Sequence, residues 1–138
     1  MPSIINDPKQ LCDAARDAAN NAYVEYSNFR VGAALTTKSA TYTGANVESA
    51  SYGLSLCAER AAITKAVNAG DRDLVRLAIA CVDAKPELGI NGIMPCGACR
   101  QWFIEFAPEL EIIIWSENDG KIIGTYIAED LLSNPFKL

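Results

Sequence analysis

The 138-residue sequence contains no histidine. Without an imidazole, the chain cannot use the Ser-His-Asp or Cys-His arrangements in which histidine activates a nucleophile. A zinc ion bound by this chain must therefore be held by sulfur, with or without carboxylate. The absence of histidine makes the cysteines the first candidates for metal chemistry.

Long apolar runs and an excess of basic side chains are also absent. No apolar run is long enough to cross a bilayer, and residues 1–7 lack the basic-then-apolar order of a signal peptide. The 12 basic side chains are outnumbered by 17 acidic ones, which gives a net charge of −5. Because there is no apolar run of that length and no signal peptide, we expect a cytoplasmic protein without a membrane partner. The basic side chains form no stripe, so we expect no nucleic-acid partner.

The sequence has five cysteines. An odd number without a recognisable export signal favours a reducing compartment over a disulfide framework. Cys12 and Cys81 fall within an apolar helix and an apolar strand, and we interpret both as packing residues. The other three, Cys57, Cys96 and Cys99, occur in short polar contexts that suit chemistry better.

Hydrophobic periodicity and turn residues predict a single α/β layered domain over residues 1–138. The predicted order is helix, two strands, helix, strand, helix, two strands. Asp7-Pro8 suits the start of the first helix, because Asp is a good N-cap and Pro suits the first helical position. The predicted strands cover 31–37, 41–47, 74–82 (central and buried), 111–115 and 121–126; later helices begin near Cys57 and Gly97, and a short helix closes over 127–132.

The three remaining cysteines lie at two predicted helix starts. Cys57 precedes one helix, and Cys96 and Cys99 stand at the beginning of another. The partial positive charge at a helix N-terminus stabilises thiolates. If the two helix starts face each other, three thiolates can hold zinc and leave its fourth position open for water, as in catalytic sites.

Charged side chains stand beside these cysteines. Three thiolates leave excess negative charge on a divalent ion, and we expect Arg60 and Arg100 to offset it. Glu59 is the predicted general base and acid, which takes a proton from the water and passes it on. A structural or redox cysteine cluster is the alternative, since Cys-x-x-Cys alone is compatible with both.

Further motifs surround these residues. They are Ala22-Tyr23, Tyr26-Ser27-Asn28-Phe29, and the segments 31–35, 44–48, 50–53, 57–60 and 95–101. Together they resemble the small, homotetrameric cytidine deaminases, over nearly the whole domain. The resemblance implies a three-layer α/β/α fold with a mixed five-stranded sheet between helices.

The same resemblance implies an activity and an assembly. The reaction would be hydrolytic deamination of cytidine and deoxycytidine to uridine and deoxyuridine with release of ammonia, a step of pyrimidine salvage. One zinc ion per subunit would be held by Cys57, Cys96 and Cys99, with Arg60 softening the charge of the sulfurs. Glu59 would carry protons to the ring nitrogen and the leaving amine, within a homotetramer whose active sites are shared between subunits.

The substrate contacts that the resemblance implies come from several segments. They are Phe29 against the pyrimidine, Asn46 and Glu48 at the ribose, Ala58 at the helix start, and Tyr52 and Phe136 from neighbouring subunits. The sequence departs from the family pattern at Glu25, Ser49, Trp102 and 133–136. Because Ser49 and this tail lie near the implied sugar contacts and shared pocket, the departures bear on sugar specificity.

Other functions share parts of this pattern. A deaminase of a modified cytosine nucleoside, or of blasticidin S, would use the same zinc chemistry. Blasticidin S would not need the ribose pair Asn46 and Glu48. A non-catalytic, zinc-stabilised nucleoside-binding module is the alternative outside enzymes, although such a site has no use for Glu59.

Overall fold

The computed structural model describes residues 3–138, so that Met1 and Pro2 of the predicted 1–138 domain lie outside the described residues. The strands are β1 (Val31–Thr37), β2 (Thr41–Ala45), β3 (Leu74–Cys81), β4 (Glu111–Ser116) and β5 (Lys121–Ile127). They form a mixed five-stranded sheet in the order β2-β1-β3-β4-β5. β3 and β4 pair in parallel, and the other neighbours are antiparallel. The predicted hairpin and the central strand are confirmed.

The helices are α1 (Pro8–Ala18), α2 (Ala58–Asn68) and α3 (Gly97–Phe106), and short 3₁₀ turns cover Ala19–Asn21, Tyr52–Leu54, Pro86–Gly92 and Ala128–Leu131. The Asp7 side chain caps α1 by accepting a hydrogen bond of 2.9 Å from the Gln10 amide. Gly70 follows α2 with φ of 82°, a conformation that glycine adopts without steric cost. The predicted closing helix is shorter than expected, since this segment forms the 3₁₀ turn alone.

Two hydrophobic clusters cover the two faces of the sheet. Alternate strand residues point to opposite faces, so that Ala34, Ala78 and Ile113 pack with α1. Leu35, Ile79 and Ile114, among others, pack with α2 and α3 on the other face. This arrangement confirms the three-layer α/β/α fold. Cys12 is buried in the first cluster and Cys81 in the second, as expected of packing residues.

A glycine allows α2 to lie close to the sheet. A Cβ atom on Gly44 of β2 would stand 2.6 Å from the Ala58 carbonyl oxygen and 2.6 Å from the Ala62 amide nitrogen. No side chain fits at such distances. The first turn of α2 is therefore held directly against the backbone of β2.

The chain leaves β2 earlier than predicted, at Ala45 instead of residue 47. Val47 instead forms isolated bridges with Tyr23 and Leu56. This irregular stretch leads into the turn before α2 and carries polar side chains to one end of the sheet. Among residues 3–138, no helix combines the length and the apolar character that crossing a bilayer requires.

Candidate metal centre and adjoining pocket

The starts of α2 and α3 meet at one edge of the sheet. Each helix precedes one of the two parallel strands, β3 and β4, and both pack on the same sheet face. Cys57 is the N-cap of α2 and Cys96 the N-cap of α3, and neither side chain caps its own helix by a hydrogen bond. Their thiols instead lie next to each other, and Cys99 joins them from the first turn of α3.

The three sulfur atoms fit the geometry of a zinc ion. Cys96 Sγ lies 3.7 Å from both Cys57 Sγ and Cys99 Sγ, and the three atoms lie within 4.8 Å of one another. Sulfur ligands about 2.3 Å from a tetrahedral zinc ion stand about 3.8 Å apart. The predicted meeting of the three cysteines is confirmed, and the donor set suits zinc.

The electrostatics of the cluster favour a thiolate at Cys57. The neighbouring Cys99 thiol lowers the pKa of Cys57 to about 5 against the opposing effect of burial, and the Arg60 guanidinium adds to the lowering. The same interaction with Cys57, together with burial, raises the pKa of Cys99. Of these two thiols, Cys57 is thus the one that ionises first.

The two arginines beside the cysteines behave differently. Arg60 Nη2 donates to Cys57 Sγ over 3.3 Å, as expected of a charge that offsets the thiolates. Arg100 makes no such contact: its Nε donates to the Pro95 carbonyl (2.8 Å) and its Nη1 to the Leu131 carbonyl (2.9 Å). The structure therefore assigns Arg100 to the backbone before Cys96 and not to the sulfurs.

Glu59 is enclosed beside the sulfur cluster. It lies in the first turn of α2 with 4% of its surface exposed. Burial raises its pKa to about 7, and the negative charge of Cys57 contributes to the rise. A carboxyl group with such a pKa can both accept and release a proton near neutral pH, which general acid–base catalysis requires.

A pocket of about 260 Å³ lies where the chain enters β1 and leaves β2. It is lined by Tyr26, Ser27, Glu48, Tyr52 and Ser55. Tyr52 is 75% exposed, and its ring lies edge-on to Tyr26 with 6.0 Å between the centroids. The pocket thus contains one carboxylate, several hydroxyl groups and an open aromatic rim. Such a surface suits a small polar ligand with hydroxyl groups.

The predicted ribose pair has definite hydrogen-bond partners. Asn46 accepts from the Val31 amide (2.9 Å) and donates to the Phe29 carbonyl (2.8 Å). Glu48 Oε1 accepts from the backbone amides of Tyr26 and Ser27, each at 3.1 Å. Both side chains therefore brace the loop that carries Phe29, a role that the sequence did not reveal. Contact of either with ribose stays a prediction.

The other predicted substrate residues fall into two groups. Phe29 is half-buried and packs on the same cluster as Cys57, and Ala58 is fully buried at the start of α2. Phe136 is 71% exposed and does not line the pocket of its own chain. It lines a second cavity, of about 720 Å³, along α3. There its backbone carbonyl and amide are hydrogen-bonded to the Gln101 side chain.

Two further residues that sequence reasoning missed fix the end of the Phe29 loop. The Arg30 guanidinium pairs with both oxygens of Asp83 at 2.8 Å, and the Arg30 amide donates to the same carboxylate. The two residues are 53 positions apart, so that no local pattern could have paired them. The contact joins the start of β1 to the end of β3.

Comparisons with known proteins agree with this geometry. The sequence model of the cytidine and deoxycytidylate deaminase zinc-binding region matches residues 5–114. A cytidine deaminase of Halalkalibacterium halodurans is 46% identical over 135 residues, covering 91% of this chain and 98% of the relative. A probable cytidine deaminase of Dictyostelium discoideum is 45% identical, over 91% of this chain and 87% of its own. The 1.6 Å crystal structure of cytidine deaminase from Burkholderia pseudomallei superimposes with a TM-score of 0.82 at 40% identity, covering 95% of this chain and 100% of that one.

Proposed function

The chain belongs to the cytidine and deoxycytidylate deaminase family, and we propose that it hydrolyses cytidine and deoxycytidine to uridine and deoxyuridine with release of ammonia. The sulfur triad, with a buried glutamate two residues after its first cysteine, is the observation that carries this proposal. It is the residue set that zinc-dependent nucleobase deaminases use. The chain is a zinc enzyme of this family.

The chain's own residues divide the chemical work. Zinc, when held by Cys57, Cys96 and Cys99, makes water nucleophilic at neutral pH. Glu59 accepts the proton that the attacking water loses and delivers protons to the ring nitrogen and then to the departing amine. The balance is one water consumed and one ammonia released. Arg60 keeps the electron-rich sulfur of Cys57 neutralised throughout.

We assign the nucleoside contacts to the residues around the pocket. Phe29 supports the pyrimidine ring from its packed position beside the Cys57 cluster, and Ala58 offers its backbone at the start of α2. Glu48 and Asn46 bind the sugar hydroxyl groups with the hydrogen-bond capacity that their backbone contacts leave free. The carboxylate of Glu48 on the pocket wall supports this assignment.

The assembly that we propose is a cytoplasmic homotetramer with shared active sites that serves pyrimidine salvage. Tyr52, Leu54 and Phe136 are each more than 70% exposed in the single chain. Tyr52 and Leu54 lie in one 3₁₀ turn, and large exposed apolar side chains that lie together are typical of interaction surfaces. Phe136 then completes the pocket of a neighbouring subunit, whose own Tyr52 lines it.

An ultraviolet assay against cytidine, deoxycytidine, cytosine, 5-methylcytidine and blasticidin S tests the reaction. We expect turnover of the first two, because Glu48 and Asn46 require a sugar, together with one zinc per chain by metal analysis. Loss of turnover on chelation and its return with zinc is the matched control. Preferred turnover of cytosine or blasticidin S would reject the proposed substrate. Zinc and nucleoside binding without any turnover would make the chain a binding module.

A further inference from the structure

Ser27 ends the turn over residues 25–27, which forms one wall of the pocket. Its Oγ donates to Glu48 Oε2 over 2.5 Å. The same Oγ accepts a hydrogen bond of 3.0 Å from the Phe29 amide. One hydroxyl group therefore connects the carboxylate of the pocket to the backbone of the aromatic residue.

The other contacts of Glu48 show what this hydroxyl group adds. The two backbone amides, of Tyr26 and Ser27, bind Oε1 and leave the direction of Oε2 undetermined. Ser27 Oγ binds Oε2 and thereby sets the rotation of the carboxylate plane. The chain then passes through Asn28, whose φ is 56°, so that the Phe29 amide points back to Ser27 Oγ.

We propose that Ser27 is a positioning residue for sugar recognition, because it orients Glu48 Oε2, whereas the Phe29 backbone is also held by Asn46. The inference rests on the proposed deamination of cytidine. A carboxylate oxygen has two acceptor directions, so that Oε2 can hold Ser27 and still accept a hydrogen bond from a sugar hydroxyl. By donating to the carboxylate, Ser27 also holds the pKa of Glu48 below its usual value.

Ser27→Ala tests this role through the sugar hydroxyl groups. We expect the KM for cytidine to rise about tenfold, the worth of a hydrogen bond to a charged group, with kcat changed less than about twofold. The probe is 2′,3′-dideoxycytidine, which lacks both ring hydroxyl groups of the sugar. Ser27→Ala should leave the inhibition constant of this probe close to the value for the parent enzyme, because the probe lacks the ring hydroxyl groups that we assign to Glu48. A merely structural role of Ser27 would weaken both nucleosides alike.

Two further variants make the result specific. Ser27→Thr keeps the hydroxyl group at an exposed position and should restore the KM of the parent. Ser39→Ala is the matched control, since Ser39 is also exposed and donates to a carboxylate, Asp71 Oδ2 at 2.7 Å, at the opposite end of β1. It should leave the kinetics unchanged.

Each other outcome rejects the inference. Equal weakening of cytidine and dideoxycytidine, a loss confined to kcat, failure of Ser27→Thr to restore binding, or an equal effect of Ser39→Ala would each overturn the positioning role. If the parent enzyme itself does not deaminate cytidine, the proposed function and the positioning role of Ser27 both fail. An active parent with an indifferent Ser27→Ala variant rejects the positioning role alone.

Discussion

A buried carboxyl group is costly for a fold because it is removed from water, and Glu59 occupies such a position. Its burial raises the pKa to about 7, so that the side chain carries a proton through part of the neutral range. A purely structural site would gain by replacing it with an apolar side chain. The retained carboxyl group therefore points to proton transfer.

Glu59→Gln separates proton transfer from folding. Glutamine fills the same space but cannot carry the proton, so that we expect kcat to fall about 10²- to 10⁴-fold. Zinc content should stay at one per chain, because no thiol is changed. The urea midpoint should not fall, since a neutral amide is cheaper to bury than a carboxylate. Steady-state kinetics, metal analysis and urea unfolding measure the three quantities.

The matched control is Glu109→Gln, which removes an exposed carboxyl group near the end of α3. It should keep parental kinetics and zinc content. Near-normal turnover by Glu59→Gln would disprove the proton-transfer role. Loss of zinc by that variant would instead make Glu59 part of the metal site.

Not every residue near the metal could be assigned from the sequence. Both arginines have helical spacings to a cysteine that allow a sulfur contact, Arg60 to Cys57 and Arg100 to Cys96. Arg100 instead donates to the Leu131 carbonyl, which lies 31 positions further along the chain and could not be paired with it from the sequence. Asn46 likewise binds the backbone at the start of β1, at Val31 and Phe29, which no local pattern indicates.

At the scale of elements, the contact between β2 and α2 sets the position of the metal site. Gly44→Ala would place a Cβ atom 2.6 Å from backbone atoms of α2, so that the helix must shift. We expect a loss of about 1–3 kcal/mol in the free energy of unfolding, as for other overpacked sites. Zinc affinity should fall as well, because Cys57 directly precedes the displaced turn. Urea unfolding and chelator competition measure the two effects.

Gly53→Ala is the control for stability, since a Cβ atom there would meet nothing within 4 Å. Its effect on the free energy of unfolding should lie within about 0.5 kcal/mol. A Gly44→Ala variant as stable as Gly53→Ala, with parental zinc affinity, would mean that α2 is not held by this contact.

The elements themselves were largely predictable because their signals are local. Asp7-Pro8 starts α1, Gly70 ends α2, and Cys57 and Cys96 both occupy N-cap positions as expected. The parallel pairing of β3 with β4 joins segments more than 30 residues apart. Hydrophobic periodicity could not specify that pairing. Yet the pairing of β3 with β4 is what brings the starts of α2 and α3 to one edge of the sheet.

At the scale of the whole molecule, the single chain leaves its predicted site residues apart. Tyr52 lines the pocket with Glu48, whereas Phe136 lies along α3 and is absent from that pocket. The proposed homotetramer with shared sites would reconcile these positions, because a neighbour would bring Phe136 to the pocket. Light scattering should then give four times the 14.8 kDa mass of the chain.

Mixed tetramers test the sharing directly. Phe136→Ala should weaken turnover by removing a pocket wall, and Glu59→Gln should abolish it. When the two variants are co-expressed, a pocket with its own Glu59 and a neighbour's Phe136 arises in about a quarter of the sites of a random tetramer. Turnover should therefore exceed the level that the separately purified variants give when their activities are averaged. If Phe136 serves its own chain instead, every pocket carries one of the defects, and the co-expressed protein shows no gain.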